Sequence, residues 1–411
     1  MDNAVFVGIG ELPSGRYPDR NFMGDLVAAG HLALKDAGLT PRDVDTLVLI
    51  PCLHSFIDQA DLVFSRVVEE LGLNKAVKSQ FMVHSGGSTS DNAVRVAGSL
   101  LCAGEAETVL ILQAERWGSA PVEAMIDSLS FNGIPLDWEV PAGQNFNAIG
   151  ALITARYMHE TGSTPEDMAG ICVALRKWAK LNPNAMYRDK TLTIEQILAS
   201  KMVCEPLHAM ECPMMADGAV GLVMTTPELA ARRDQESVRI VGTGGCVSHY
   251  SLGQETDLAR LGWPKAAEMA YDASGWGPDD VQLAEVYDSY AAVMAIAFEG
   301  LGLCKLGEGA RFIAGGETSP GGSLPSNTNG GLLSAGHTGV GGGTALLAEG
   351  VRQLLGRAGP ERQLPDVRRA LIGGTGGSYM DAQVMMLERV ARGTGGVPPT
   401  KAAGAAKGAA T

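Results

Sequence analysis

Positive charge is in short supply in this chain. Lys and Arg total 32 against 46 Asp and Glu, a net charge of −14 at pH 7, which argues against nucleic acid as a default partner because phosphate backbones demand basic surface. Long apolar runs are missing as well. No window holds 18 uninterrupted apolar residues, and Met1-Asp2-Asn3-Ala4 puts no basic segment ahead of Val5, so no membrane span and no secretory leader is expected and the chain reads as cytoplasmic. Cys-x-x-Cys pairs are absent. The seven cysteines, at 52, 102, 172, 204, 212, 246 and 304, are odd in number and scattered. That spacing speaks against a zinc ribbon or dithiol redox centre, and no metal site is expected. Most stand in apolar context, as in Leu100-Leu101-Cys102-Ala103 and Ile171-Cys172-Val173, and read as buried reduced thiols.

Aromatic residues make up only 5% of the chain, whereas glycine contributes 53 of its 411 residues. With 45% hydrophobic and 19% charged residues, this is the composition of a globular α/β enzyme with tight helix–sheet contacts and many turns. The length admits two core-bearing domains or one large pseudo-symmetric one.

A repeat decides between these. Val5-Phe6-Val7-Gly8-Ile9-Gly10 reads as a buried strand. A helix with Leu26, Ala29, Ala33 and Ala37 on one face follows, closed by Gly38; Thr40-Pro41 restarts the chain into a strand from Val44 to Ile50, and a helix is expected from Asp61 to Leu71. Val241-Gly242-Thr243-Gly244 echoes the opening. Ala29, Ala33, Gly38, Pro41 and Val44 then match Ala266, Ala270, Gly275, Pro278 and Val281, each pair 237 positions apart. A constant separation over helix, turn and strand implies duplicated βαβ-type halves, here residues 1–235 and 236–392.

Further units pair more loosely. Val83-His84-Ser85-Gly86-Gly87-Ser88 leads into a helix from about Asp91 to Leu101 and a strand Thr108–Leu112; Ala219–Met224 closes the first half. In the second half the glycines around His337 lead into a helix through Leu346 and Leu355. The strand Ala370–Ile372, the turn Gly373-Gly374-Thr375-Gly376-Gly377 and the strand Gln383–Leu387 follow. An insertion at about 115–210 has helical signals, among them Thr164-Pro165-Glu166, an N-cap followed by proline. The tail 393–411, rich in Ala, Gly, Pro and Lys, is expected to be disordered.

Two stretches stand out as a site. Glu285-Val286-Tyr287-Asp288-Ser289-Tyr290 leaves a short apolar strand, where open α/β sheets place their chemistry. Asn327-Thr328-Asn329-Gly330-Gly331 through Gly336-His337 is glycine-dense, which lets backbone approach a ligand closely. Together with Asp217-Gly218-Ala219, these motifs in this order resemble the thiolase superfamily over about residues 4–390. The nearest flavour is that of sterol-carrier-protein-type thiolases and the thiolase-like lipid-transfer-protein subgroup. The resemblance implies an α/β thiolase fold: two pseudo-symmetric mixed-sheet halves in an αβαβα layered arrangement.

Against that family the chain departs where the chemistry lies. Thiolases carry a nucleophilic Cys in Cys-x-x-Gly-Ser-Thr at a helix start; His84 occupies that position here, and no cysteine lies between Cys52 and Cys102. The His of the family's His-Asp-x-Phe motif is Tyr287. The Gly-His is kept as His337, and the last catalytic position falls on Leu371 or Gly373. Without a thiolate, an acyl-enzyme intermediate is not expected. Ser85 or Ser88 can be raised as nucleophile, but no Gly-x-Ser-x-Gly elbow supports either, and helix N-capping accounts for Ser88 more simply.

Tyr287 and His337 remain as candidate catalytic residues, with His84, Asp288, Tyr290 and Asn327 as supporting candidates. On the residues alone, Tyr287 is either a general acid–base or a strand tyrosine bonded to a carbonyl, and His337 either its partner or a structural loop histidine. Tyr plus His without Cys suits retro-aldol cleavage of a β-hydroxy acyl-CoA to a ketone or aldehyde plus a shorter acyl-CoA. This is similar to the thiolase-like aldolases of steroid side-chain degradation, which use tyrosine at such positions. Two other classes stay open: a thiolase-type acyl-CoA acyltransferase, and a decayed acyl-CoA- or lipid-binding protein. The resemblance implies no cofactor beyond the CoA of the substrate, whose binding residues it does not assign. It implies a homodimer, expected through the strand Thr108–Leu112. It also implies a small OB-fold partner with a zinc ribbon, often supplied by a hydratase.

Overall fold

A computed structural model of the chain describes residue 1, residues 3–50 and residues 62–392. Cys52, the start of the helix expected from Asp61, and the tail from 393 lie outside the described residues. The first half runs β1 (Val5–Gly15), α1 (Phe22–Asp36), β2 (Thr46–Ile50), α2 (Val63–Glu70), β3 (Ser79–Met82), α3 (Thr89–Ala103) and β4 (Thr108–Arg116). The insertion follows: α4 (Val122–Gly133), α5 (Phe146–Thr161), α6 (Pro165–Ala179), α7 (Ile194–Leu198) and the hairpin β5 (Met202–Cys204) and β6 (Leu207–His208). At α6 the expected cap forms, with Thr164 Oγ1 accepting from Asp167 N at 3.2 Å and Asp167 Oδ2 accepting from Thr164 N at 2.9 Å. β7 (Asp217–Thr225) and α8 (Pro227–Arg232) end this half. The second half runs β8 (Ser237–Val247), α9 (Trp263–Ser274), β9 (Leu283–Val286), α10 (Ala291–Gly300), α11 (Gly309–Ala314), α12 (Gly331–Ala335), α13 (Gly342–Leu354), β10 (Arg369–Gly374) and β11 (Asp381–Val390).

The nine long strands lie in the order β3-β2-β4-β7-β1-β8-β11-β10-β9. Strand sense repeats between the halves. β2–β4 and β9–β10 are parallel, whereas β4–β7, β1–β7, β10–β11 and β8–β11 are antiparallel. The halves join edge to edge at β1 and β8 through two residue pairs, Val5 with Arg239 and Phe6 with Val238. Helices α3 and α13 form the middle layer: Ala93, Val94 and Ala97 of one and Leu347, Ala348 and Val351 of the other share one core with Phe6, Val48, Ile111, Ile372 and Leu387 from both halves. α1 covers the outer face of the first half, and α9 with α10 and the insertion helices covers that of the second. This is the αβαβα layering.

The repeated glycines and alanines of the sequence turn out to be one contact made twice. A Cβ placed on Gly8 would lie 2.5 Å from the Ala33 carbonyl oxygen, and one on Gly242 would lie 2.5 Å from that of Ala270. Gly10 meets the Ala29 carbonyl, and Gly244 that of Ala266, still more closely. The small faces of α1 and α9 therefore press directly on strand backbone.

Two expectations need correction. β4 is not an edge: β2 and β7 flank it on both sides, so Thr108–Leu112 has no free backbone edge with which to pair a second copy. Its unbroken apolar run is the mark of a strand buried on both faces in the sheet's interior. At the sheet ends, β3 has one strand neighbour among the described residues, β2. β9 has β10 on one side and a single parallel bridge, Ala284 with Ser326, on the other. The cysteines are also less buried than their neighbours suggest. Of the six described, all free, Cys172 is buried, Cys102 is exposed and Cys204, Cys212, Cys246 and Cys304 are half-buried. Cys102 follows the buried Leu101, and one helical step of about 100° turns it out to solvent. Among the described residues no helix is long and apolar enough to cross a membrane.

Replacing Gly244 with alanine is expected to cost about 1–3 kcal/mol by forcing α9 off the sheet, read as a lower urea midpoint. Gly10→Ala should do the same to α1. Unchanged midpoints in both variants would mean that the close approach is not a packing constraint.

Candidate active site

Four turns and part of the insertion converge on one half-open cavity, whose empty space is about 610 Å³ with the solvent at its mouth included. The turn entering α3 brings His84, Gly86 and Gly87; the exit of β9 brings Tyr287, Ser289 and Tyr290. The loop after α12 brings His337, Gly339 and Val340, and the turn between β10 and β11 brings Thr375, Gly377 and Tyr379. Trp117, Phe146, Pro213 and Met215 supply apolar wall. No cysteine lines it among the described residues.

Tyr287 is set by its backbone and by a missing side chain opposite. Its N–H donates to Gly373 O at 2.9 Å, which fixes the residue at the point where β9 leaves the sheet. Its ring then lies against Gly87, where a Cβ would come within 2.5 Å of Cζ. The hydroxyl reaches Nε2 of His337 at 3.1 Å. The two rings meet edge-on, and the indole of Trp117 stacks on the other side of the imidazole with an interplanar angle of 7°.

His337 is clamped by backbone on both sides. Its N–H donates to Met214 O and its carbonyl accepts from Ala216 N, each at 2.9 Å, and Gly336 before it turns at φ +117°. Upstream, the Asp288 carboxylate accepts from Leu332 N at 2.9 Å and Leu333 N at 3.4 Å, holding the start of α12. Gly331 lies so close to that carboxylate, at φ +63°, that no side chain fits. Asp288 thus faces the protein, away from the cavity, and burial raises its pKa to about 7.

Asn327 faces the protein too. Its Oδ1 accepts from Val286 N at 2.8 Å and its Nδ2 donates to Val286 O at 2.7 Å, so the amide replaces a neighbouring strand at the outer edge of β9. Next to it, Thr328 N–H donates to Glu285 Oε1 at 3.0 Å, and its hydroxyl, with one proton to give, lies 2.8 Å from Glu285 Oε1 and 3.0 Å from Glu349 Oε1.

Of the other candidates, His84 is exposed at the cavity wall. Tyr290 lines the cavity but gives its hydroxyl proton to Asn147 Oδ1 at 2.7 Å. Ser88 is fully buried and stands at the N-cap position of α3 as expected from the sequence, but its side chain makes no capping bond there. Its hydroxyl donates to Asp381 Oδ2 at 2.7 Å and lies 2.8 Å from Ser85 O, tying α3 to β11. Ser85 Oγ accepts from Asn92 Nδ2 at 2.7 Å. Leu371 and Gly373 lie inside β10, short of the turn that reaches the site. The polar side chains this turn presents are Thr375 and Tyr379.

Tyr379 and Trp117 were not among the sequence candidates. The signal for Tyr379 was the same as for His337, a polar residue closing a glycine turn that links two elements. Trp117 ends the i, i+2, i+4 series Gln113, Glu115, Trp117 just past β4, and nothing marks it in sequence.

Burial dominates the electrostatics. It lowers the His337 pKa to about 4 and pushes the Tyr287 phenol well above its ordinary value, with Tyr379 and Asp288 adding to the rise. Near neutral pH the pair is therefore uncharged: a hydroxyl that donates and an imidazole that accepts, both buried at the base of the cavity.

Residues 244–389 match the family described as thiolase C-terminal domain-like. The chain is 32% identical over 370 residues to the 17-hydroxy-3-oxo-4-pregnene-20-carboxyl-CoA lyase of Mycobacterium tuberculosis, covering 86% of this chain and 92% of that one. It is 30% identical over 389 residues to the steroid side-chain-cleaving aldolase of Thermomonospora curvata, with 91% and 95% covered. To the acetyl-CoA acetyltransferase of Methanothermobacter thermautotrophicus it is 27% identical, with 92% and 98% covered. Among solved structures, the Ltp2-ChsH2(DUF35) aldolase superposes with a TM-score of 0.81 at 28% identity, over 94% of this chain and 98% of that one.

The His337 ring is expected to stay neutral down to about pH 4, followed by imidazole NMR shifts in the folded protein. An unfolded histidine takes its proton near pH 6.5. Between those values the unfolded chain binds the proton and the folded one does not. Acidification from about 6.5 towards 4 therefore removes stability, and above that window the ring contributes nothing. A folded-state midpoint near 6.5 would contradict the buried, uncharged pair.

Proposed function

This chain belongs to the thiolase superfamily as a carbon–carbon lyase, and from that premise we propose that it splits a β-hydroxy acyl-CoA into a ketone and a shorter acyl-CoA, with Tyr287 and His337 moving the proton. The observation that carries the proposal is the 3.1 Å hydrogen bond between Tyr287 Oη and His337 Nε2 in a cavity that no described cysteine lines. A steroid side-chain thioester is the leading substrate class. Two relatives named for such chemistry are covered over 92% and 95% of their length, and Phe146, Pro213, Met215 and Val340 give the cavity an apolar wall.

The reaction follows from the state of the pair. Tyr287 takes the substrate hydroxyl proton as its own proton passes to Nε2 of His337, in the tautomer with hydrogen on Nδ1. This avoids a free phenolate, and the imidazolium formed in its place, which burial also disfavours, exists only while the enolate carries the opposite charge. The Cα–Cβ electron pair moves onto the thioester as an enolate while the hydroxyl carbon becomes a carbonyl. The proton held by the pair then returns to Cα. Substrate atoms equal product atoms, and neither water nor an oxidant is consumed, so the stoichiometry calls for no cofactor beyond the CoA already on the substrate.

A second reading, acyl transfer, draws on the 27% identity to an acetyltransferase. It requires a nucleophile. The turn into α3 offers His84 where the family has Cys, and the hydroxyls of Ser85 and Ser88 are held by Asn92 and Asp381.

Tyr287→Phe removes one hydroxyl and should cost no more than about 1–2 kcal/mol of stability, while kcat falls by roughly two to four orders of magnitude and thioester binding persists. His337→Ala should lower kcat as well, and the double variant should lose less than the product of the two. Near-normal turnover by the phenylalanine variant would refute the assignment. Tight thioester binding by a wild-type protein that turns over no β-hydroxy or β-keto acyl-CoA would instead favour a decayed binding protein.

We propose further that the working form is a homodimer that engages a small OB-fold protein with a zinc ribbon, as part of a hydratase or on its own. The two-component name of the Ltp2-ChsH2(DUF35) aldolase and the single strand neighbour of β3 support this. Sedimentation should give about twice the 42.9 kDa chain mass, and turnover should rise when the partner is added. A monomer at micromolar concentration would defeat the dimer; full activity of the isolated chain would defeat the partner.

A further inference from the structure

We propose that the hydroxyl pair Ser289–Tyr379 is the oxyanion-binding pole of the cavity, donating a hydrogen bond to the substrate's thioester oxygen as the enolate forms. This rests on the lyase reading above and adds two residues to it. Both side chains line the cavity, with Ser289 only 5% and Tyr379 only 2% exposed. Tyr379 Oη lies 2.7 Å from Ser289 Oγ. Two hydroxyls joined by one hydrogen bond use one of their two protons, and neither oxygen has another partner among the described residues.

The remaining hydroxyls of the wall are already committed. Tyr287 is bonded to His337, Tyr290 donates to Asn147, and Thr375 Oγ1 donates to Asp381 O at 2.6 Å. Ser289–Tyr379 is thus the hydroxyl group of the cavity with a donor to spare. Its place also selects the oxygen it serves. Ser289 is two residues beyond Tyr287 on the same turn, and the thioester carbonyl is one bond from the Cα that Tyr287 protonates. An oxygen far along the acyl group would lie away from this turn.

The backbone under Tyr379 points the same way. It sits at φ +61°, a region that costs a bulky side chain about 1 kcal/mol or more and in which glycine is at ease. The turn is held there by its surroundings. Gly376 N donates to Asp381 Oδ1 at 2.7 Å, Met380 N to Gly376 O at 3.1 Å, and Ser248 N to Met380 O at 2.7 Å. A tyrosine kept in this conformation by a braced turn presents a fixed donor, and a fixed donor needs no reorganisation when charge develops. The pole takes no covalent part: the Cα–Cβ electron pair reaches the thioester oxygen as the bond breaks and leaves it when Cα is protonated.

Tyr379→Phe and Ser289→Ala test this in the full-length chain, two independent variants in case one fails to fold. Retro-aldol kcat and KM are measured, and separately the exchange of α-hydrogens of the shorter acyl-CoA product with D2O, followed by mass spectrometry. Exchange requires the enolate but no β-hydroxyl. In each variant kcat is expected to fall about 10²–10³-fold, KM to stay within a few-fold, and exchange to slow by the same factor as kcat. Wild-type kcat and exchange in a folded variant would overturn the assignment. So would lowered kcat with unimpaired exchange, since that places the pair on the ketone side of the reaction. A wild-type protein that neither cleaves nor exchanges would sink the lyase reading and this pole with it; an active wild type with unaffected variants sinks the pole alone.

Discussion

The site is fastened to a buried carboxylate that never touches the cavity. Glu349 of α13 is fully buried, and a charge there is tolerable only when paired. Arg352 meets it at 2.6 Å and Arg362 at 3.0 Å, holding its pKa well below the usual range against the effect of burial. Arg352 continues to Glu11 of β1 at 2.7 Å. On its other side Glu349 accepts from Thr328 and Gln353. Thr328 carries the fastening onward to Glu285, and the adjoining Asn327 to Val286, the residue before Tyr287. Glu285 lies beside this charge, and burial together with Glu349 raises its pKa. One carboxylate of the two is thus charged and the other protonated, which lets both remain inside.

In front of this charged frame the chemistry is run by uncharged groups. The same burial that forces Glu349 to take two arginines leaves Tyr287 protonated and His337 bare, because neither has a counter-ion. Asp288 comes closest to an exception, and backbone N–H groups of α12 engage its oxygens. The framework and the cavity solve the problem of low polarity in opposite ways, by pairing in one and by neutrality in the other. This division lets hydrogen bonds in the cavity act at full strength on a substrate that gains charge only transiently.

Much of this was legible in the chain. Equal separations of Ala29 from Ala266 and Ala33 from Ala270 express a physical need, the same small-residue contact made once per half, and they put β9 in register with β2. From that register Tyr287 had to stand at a strand exit. What escaped lay where local pattern does not carry spatial neighbours. Tyr379 sits two residues past Gly377, the last glycine of its turn, well beyond Leu371 and Gly373, the positions to which the family motif points. The strand after α3 is where the family resemblance puts a dimer contact, although its continuous apolar run belongs to a sheet interior. Ser88 stands where a cap is expected, but Asp381, nearly three hundred residues away, takes its proton.

The cavity draws on both halves, and that has a consequence for how the protein is made. His84, Gly87 and Trp117 leave the ribosome early, whereas Thr375 and Tyr379 belong to the turn between the last two strands. Until β10 pairs with β9, Tyr287 lacks the Gly373 carbonyl that fixes its backbone. Over the same interval α3 has β2 and β4 of its own half to pack on but lacks α13, so the core that the two helices share stays half built. A nascent chain of this design is therefore silent as a catalyst and adhesive as a surface for most of its synthesis, the condition in which chaperones find their clients.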